Sequence, residues 1–154
     1  MAQTTSGMSG ADISVGLSTD GTNFTDVSGF ANSVEKDGGE RVTGNAFTFD
    51  GDIAIIKAGK RDPITVTIRG VYTETASEFY DMVVDAYEAG SDLYARWSPG
   101  GGDAGDLGYT TGAGIVKSAP YPVGNADEGE PIMVECVLEV ASIAEAAIGT
   151  AGWS

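Results

Sequence analysis

The 154-residue chain has no histidine. That removes the commonest general base, the usual metal ligand and every Ser/His/Asp or Cys/His catalytic arrangement. Zinc sites of the usual kinds are excluded with it. Cysteine is almost absent too: Cys136 stands alone, so no intrachain disulfide exists. It lies in an alternating apolar run, where a thiol behaves as a small hydrophobe. Its neighbours Glu135 and Glu139 disfavour a thiolate, so a nucleophilic role is not expected.

Positive charge is scarce. Eight Lys and Arg face 23 Asp and Glu, a net charge of −15. Such a surface serves solubility, and it repels nucleic acid and anionic membranes over a Debye length of roughly 8–10 Å. Long apolar runs are missing as well. Nothing approaches the roughly 18 residues of a membrane span. Met1 to Gly10 carries no Lys or Arg and no apolar centre, which does not read as a signal peptide. The expectation is a soluble protein made in the cytosol.

Motifs that would carry chemistry are incomplete. Gly100-Gly101-Gly102 resembles a phosphate loop in composition only, because no GKS or GKT follows and nearby Asp residues repel phosphate. Asp50-Gly51-Asp52 and the stretch Asp103 to Asp106 lack the twelve-residue calcium loop. No pair of acids stands in the aromatic setting of a sugar cleft. No catalytic residue, cofactor or metal is therefore expected.

What the chain has in plenty is glycine, 23 residues, about twice the usual share. These glycines punctuate short apolar runs, as tight turns between strands would. Strands are expected at 12–18, with Ile13, Val15 and Leu17 on one face, then near Phe24 and Val27. Further strands are expected at 41–50, around Ile53 to Ile56, at 64–69, 93–97 and 109–118, and from Ile132 to Val140. Asp20-Gly21 and Asp50-Gly51 read as two-residue hairpin turns. Residues 35–40 read as a polar loop and 57–63 as a charged turn. Lys57, Lys60, Arg61 and Arg69 gather half of all the cations within 13 residues. They suit either docking onto an acidic neighbour or discouraging edge pairing.

One helix is expected over 76–89. Thr75 and Glu78 form a capping-box pattern. Phe79, Met82, Val83, Ala86 and Tyr87 follow the spacing of a buried stripe, and Gly90 ends the helix. The order of strands, one helix, then strands predicts a mainly β domain over 12–141: an antiparallel sandwich or barrel with one flanking helix. It would lie between an N-terminal arm (1–11) and a C-terminal tail (142–154).

The segments ADISVGLSTDGTNFTDVSGFANSVE, DPITVTIRGVYTETASEFYDMVVDAYEAG and PIMVECVLEV, in that order, together resemble the tail tube (major tail) proteins of long-tailed bacteriophages. The resemblance covers most of residues 11–141. It implies a structural subunit of the virion tail, assembled in the host cytoplasm, and not an enzyme. It further implies that copies associate with one another, usually six to a ring, so that their strands join into an intersubunit barrel. Rings stack into a tube, meet other tail proteins, and let double-stranded DNA pass without specific binding. Asp50, Asp52, Glu135 and Glu139 are then the candidate lumen acids. Lys57, Lys60, Arg61, Ile148 and Trp153 are the candidate intersubunit contacts, Trp153 as an exposed indole seeking a neighbour. A tail terminator or neck adaptor of the same fold fits equally. A β-sandwich binding module on a virion or cell surface is kept open by Tyr94, Trp97, Tyr109 and Tyr121.

Overall fold

The computed structural model describes residues 6–124 and 129–153. A short 3₁₀ turn, Gly10–Asp12, leads into β1 (Ser14–Ser18), β2 (Thr25–Asp26), β3 (Ala31–Gly38), β4 (Arg41–Ala46), β5 (Ile55–Arg61) and β6 (Ile64–Val71). Helix α1 (Phe79–Ala89) follows, then β7 (Tyr94–Ser98), β8 (Leu107–Thr111), β9 (Gly114–Val116), β10 (Met133–Val140) and β11 (Ile143–Ala147). Among the described residues every strand pairing is antiparallel. A five-stranded sheet runs β11-β8-β7-β1-β2, a four-stranded sheet runs β3-β6-β10-β9, and β4-β5 form a ribbon of their own.

Alternation explains the two main sheets. In β6 and β10, Val66, Ile68, Val134, Cys136, Leu138 and Val140 point one way and are buried. Val15, Leu17 and Ala95 of the other sheet, with Leu93 just before β7, meet them in a single core. The helix adds Phe79, Val83 and Ala86 to it. Phe79 lies over Gly70, where an added Cβ would come within 2.8 Å of its ring. The strand thus lacks a side chain at the point where the helix presses closest.

The helix ends as expected and begins otherwise. Gly90 adopts φ 62° and ψ 27°, and the Gly90 and Ser91 N–H groups donate to Tyr87 and Ala86. At the start, the Thr75–Glu78 capping box does not form. Glu78 is the N-cap and makes no cap hydrogen bond, because its carboxylate instead accepts from the Thr73 hydroxyl. Asp81 accepts from the Ser77 N–H at 2.7 Å, and Ser77 takes φ 64°.

Several loop expectations are corrected. Asp20-Gly21 is not a two-residue turn but sits in a longer loop between β1 and β2. Asp20 organises that loop by accepting from the Thr22 and Asn23 N–H groups, both at 2.8 Å. These bonds hold its carboxyl well below the usual carboxylate range. Asp50-Gly51 likewise lies inside a connection that leaves β4 at Ala46 and enters β5 at Ile55, so Phe47 and Phe49 are not in a strand. Residues 35–38, expected as loop, continue β3. Lys57 to Arg61, expected as a turn, are strand β5. The expected strand 109–118 breaks near Gly112 and contributes β8 to one sheet and β9 to the other. Residues 143–147 of the expected tail are β11, an edge strand paired with β8. Of the expected arm, residues 1–5 lie outside the described residues, as do 125–128 of the connection before β10.

Candidate assembly surfaces

One backbone row fixes the ends of the sandwich. Gly38 pairs with Ile64, Ile64 with Val140, Val140 with Gly114, and Gly114 with Leu93. At this row β3 passes into β4 through Gly38 and Gly39, both at positive φ. β5 passes into β6 through Asp62 and Pro63. The β4-β5 ribbon is therefore an extension of two sheet strands beyond one end of the sandwich. The opposite end carries the 99–106 loop, the start of β10 and the turn leading into the helix.

No residue of β4 or β5 is buried. The register, with a bulge at Gly59-Lys60, places Asn45 and Ile56 on one face, and Val42 and Ile55 on the other. Both faces are apolar in part and neither is covered. Val42, Phe47, Phe49, Ile53, Ile55 and Ile56 are all exposed. A two-stranded ribbon without a covered face is marginal in water. Charge is distinctive as well. Across residues 40–62, Glu40, Asp50, Asp52 and Asp62 are balanced by Arg41, Lys57, Lys60 and Arg61. The chain's whole negative excess thus lies elsewhere.

The far end is also apolar in part, and acidic. Met8, Leu107, Val123 and Ile132 are exposed there, among Asp12, Glu74, Asp103 and Asp106. Tyr121 and Val123 wall a shallow groove against Met133 and Val137 of β10.

The four-stranded sheet offers a third surface. Its solvent face presents Thr65, Thr67 and Arg69 of β6 opposite Glu139, Val137 and Glu135 of β10. Glu35 and Asp37 of β3 stand opposite Thr67 and Thr65. Two ion pairs cross the strands: Arg69 Nε to Glu135 Oε1 at 3.1 Å and Lys117 Nζ to Glu139 Oε2 at 3.6 Å. At one margin of this sheet β3 is the edge strand. At the other, β9 pairs only with Leu138 to Val140, so among the described residues β10 from Met133 to Cys136 has no strand partner on that side. Unpaired margins of this kind template pairing with another chain.

No family model matches the chain, and no curated protein matches it. Solved structures do. The tail of an empty GTA particle with C6 symmetry superimposes with a TM-score of 0.65 at 14% identity, over 93% of this chain and 100% of that one. The SPP1 tail tube gives 0.65 at 12% identity, over 94% and 83%. The anti-feeding prophage cap, a tube-terminating cap, gives 0.65 at 10% identity, over 96% and 95%. The chain has the fold of the tail-tube proteins. At these identities the likeness is one of fold, and it extends over more than nine-tenths of this chain in each case.

Within the tail-tube fold the expected residues separate. Glu135 and Glu139 share one sheet face, each with a cation. Asp50 and Asp52 lie at the tip of the ribbon, away from that face. Lys57, Lys60 and Arg61 stand exposed on β5. Ile148 is buried and Trp153 is half-buried on their own chain, so the exposed terminal indole expected from sequence is not there. The Trp153 ring lies over Gly108, where an added Cβ would clash with it. The Arg96 guanidinium sits 4.4 Å from the Trp153 ring centroid and 4.5 Å from that of Phe24. Sequence alone carried little signal for this seat, because its parts come from three distant segments. Of the aromatics that suggested a binding module, Tyr121 alone is exposed. Trp97 and Tyr109 stack on each other, and Tyr94 covers Gly21.

Cys136 is fully buried, and burial pushes its thiol up to about 12. Native protein is expected to resist thiol-specific reagents at pH 8, with labelling only as fast as unfolding. Above the ordinary value of 9.0 the unfolded chain ionises while the native chain does not. Stability is therefore expected to fall from about pH 9 towards about pH 12, and a Cys136→Ala variant to lose that part of the decline. Urea titrations at stepped pH check this.

Proposed function

We propose that the chain is a structural subunit, without catalytic activity, of a phage-type tail tube. The observation that carries this reading is the apolar β4-β5 ribbon, uncovered on both faces, at the opposite end of the sandwich from a second exposed apolar surface. A contact between unlike ends of identical copies repeats without closing and so builds a filament. Sideways, the β3 margin of one four-stranded sheet joins the β9-β10 margin of the next. The C6 symmetry of the GTA tail supports six copies per ring. The solvent faces of these sheets then line a channel for double-stranded DNA, with Glu35, Asp37, Glu135 and Glu139 as its acids. Lys57, Lys60 and Arg61 meet the acidic far end of the next ring, and Asp50 and Asp52 travel with the ribbon tip. The subunit assembles in a host cytoplasm and resides in the virion tail beside other tail proteins.

A second reading is favoured by the likeness to the anti-feeding prophage cap: a terminator that closes a tube with one ring. Negative-stain micrographs of the purified chain at rising concentration separate the two. Hollow tubes are expected. Single rings at every concentration would favour the terminator, and a lone monomer would overturn both.

A further inference from the structure

We propose that Glu135 and Glu139 serve to mask Arg69 and Lys117, so that the channel wall presents no free cation to a passing double-helical polyanion. The inference rests on reading this sheet face as the channel wall. Among the described residues, the cations on that face are these two. Each has a carboxylate within 4 Å across a strand boundary. Arg69 stands directly opposite Glu135. Lys117 stands opposite Val137, one diagonal step from Glu139, and is within 3.5 Å of the Thr65 hydroxyl. The two pairs use neighbouring strand boundaries, β6-β10 and β9-β10, one directly across and one on the diagonal.

Stability is a poor reason for the pairs to exist. All four side chains are about half exposed, from 44% to 54%, and ion pairs in that setting contribute little to folding. Their electrostatic effect on a polyanion is larger. A bare cation on the wall would release counterions from the phosphates and hold them, and a ring repeats each cation in every copy. A carboxylate held against each cation cancels that attraction locally, while Glu35 and Asp37 on β3 leave a mild negative excess. This predicts a wall of matched charges with an acidic remainder, which is a different surface from a uniformly acidic one.

The test compares three proteins by fluorescence anisotropy of a short labelled DNA duplex. They are the wild type, E135Q/E139Q, and the four-fold variant that adds R69Q and K117Q. The face is exposed in the isolated chain too, so the measurement does not depend on tube formation. The wild type and the four-fold variant are expected to leave the anisotropy unchanged. E135Q/E139Q is expected to bind, and to weaken about tenfold between about 50 and about 200 mM salt, as for roughly two phosphates neutralised. Absence of binding by E135Q/E139Q overturns the proposal. So does equal binding by the four-fold variant, since loss of acid alone would then suffice. Circular dichroism verifies the folds, and E135T/E139T, with high strand propensity, repeats the comparison if glutamine disturbs the sheet. Micrographs of the wild type report separately: tubes without the binding change overturn the mask alone, and the binding change without tubes overturns the channel-wall reading alone.

Discussion

Phe49→Asp combined with Ile53→Asp is expected to abolish tubes while leaving the subunit folded. Both side chains are exposed in the single chain and neither belongs to the core. Surface changes of this kind usually alter stability by less than about 0.5 kcal/mol. In a stacked ring the same side chains would be buried, each contributing roughly 1.5–3 kcal/mol. Placing two charges in that contact adds a desolvation cost. Since every ring repeats the contact, the concentration needed for assembly is expected to rise by about a hundredfold or more. Sedimentation of assembled material against concentration measures it, with urea midpoints to verify the fold. Tubes forming at the wild-type concentration would remove the ribbon from the stacking contact.

Phe79→Ala is expected to have the opposite signature, a large loss of stability through the core. Phe79 is fully buried and is the largest of the fully buried side chains. It fills the space left by Gly70 on β6 and joins the first turn of the helix to the sheet. Removing a buried phenyl ring in a site that cannot collapse costs about 3–5 kcal/mol. The sheet backbone at Gly70 is held by pairing on both sides, to Ala31 and Val134, so little collapse is expected. Equilibrium urea unfolding followed by circular dichroism gives the value. A loss under about 1 kcal/mol would mean that the helix packs on the sheet through other residues.

These two substitutions also divide the fold into what the sequence displayed and what it did not. β6 and β10 were legible because each buries one face and wets the other, so that apolar residues alternate. The helix stripe was legible for the same reason at its own period. Strands were expected at 41–50 and around Ile53 to Ile56, but their bounds were wrong and most of β5, Lys57 to Arg61, was read as a charged turn, because neither β4 nor β5 buries a face within the subunit and no alternation could develop. Their apolar residues serve both faces of a ribbon and therefore look irregular. Residues 109–118 read as one strand but are two, and a Cβ added at Gly114 would come within 2.6 Å of the Val140 side chain and 2.9 Å of that of Leu138, a demand of cross-strand packing that no local pattern displays. Of the candidate site, Glu135 and Glu139 were placed together by simple strand period. Their cations, Arg69 and Lys117, come from 66 and 22 positions before them, and only the sheet order makes them neighbours.

The ribbon and the central sheet share the same two backbones, since β3 continues into β4 and β5 into β6. A tensile load applied at the ribbon tip would thus run along the strands themselves. Hydrogen bonds in an antiparallel pair lie perpendicular to the strands, so such a force shears the whole β3-β6-β10 ladder at once and cannot unzip it bond by bond. A filament built this way would resist stretching along its axis. The glycine pair at Gly38 and Gly39 would meanwhile leave a joint where successive rings can tilt, giving an object stiff in tension and compliant in bending.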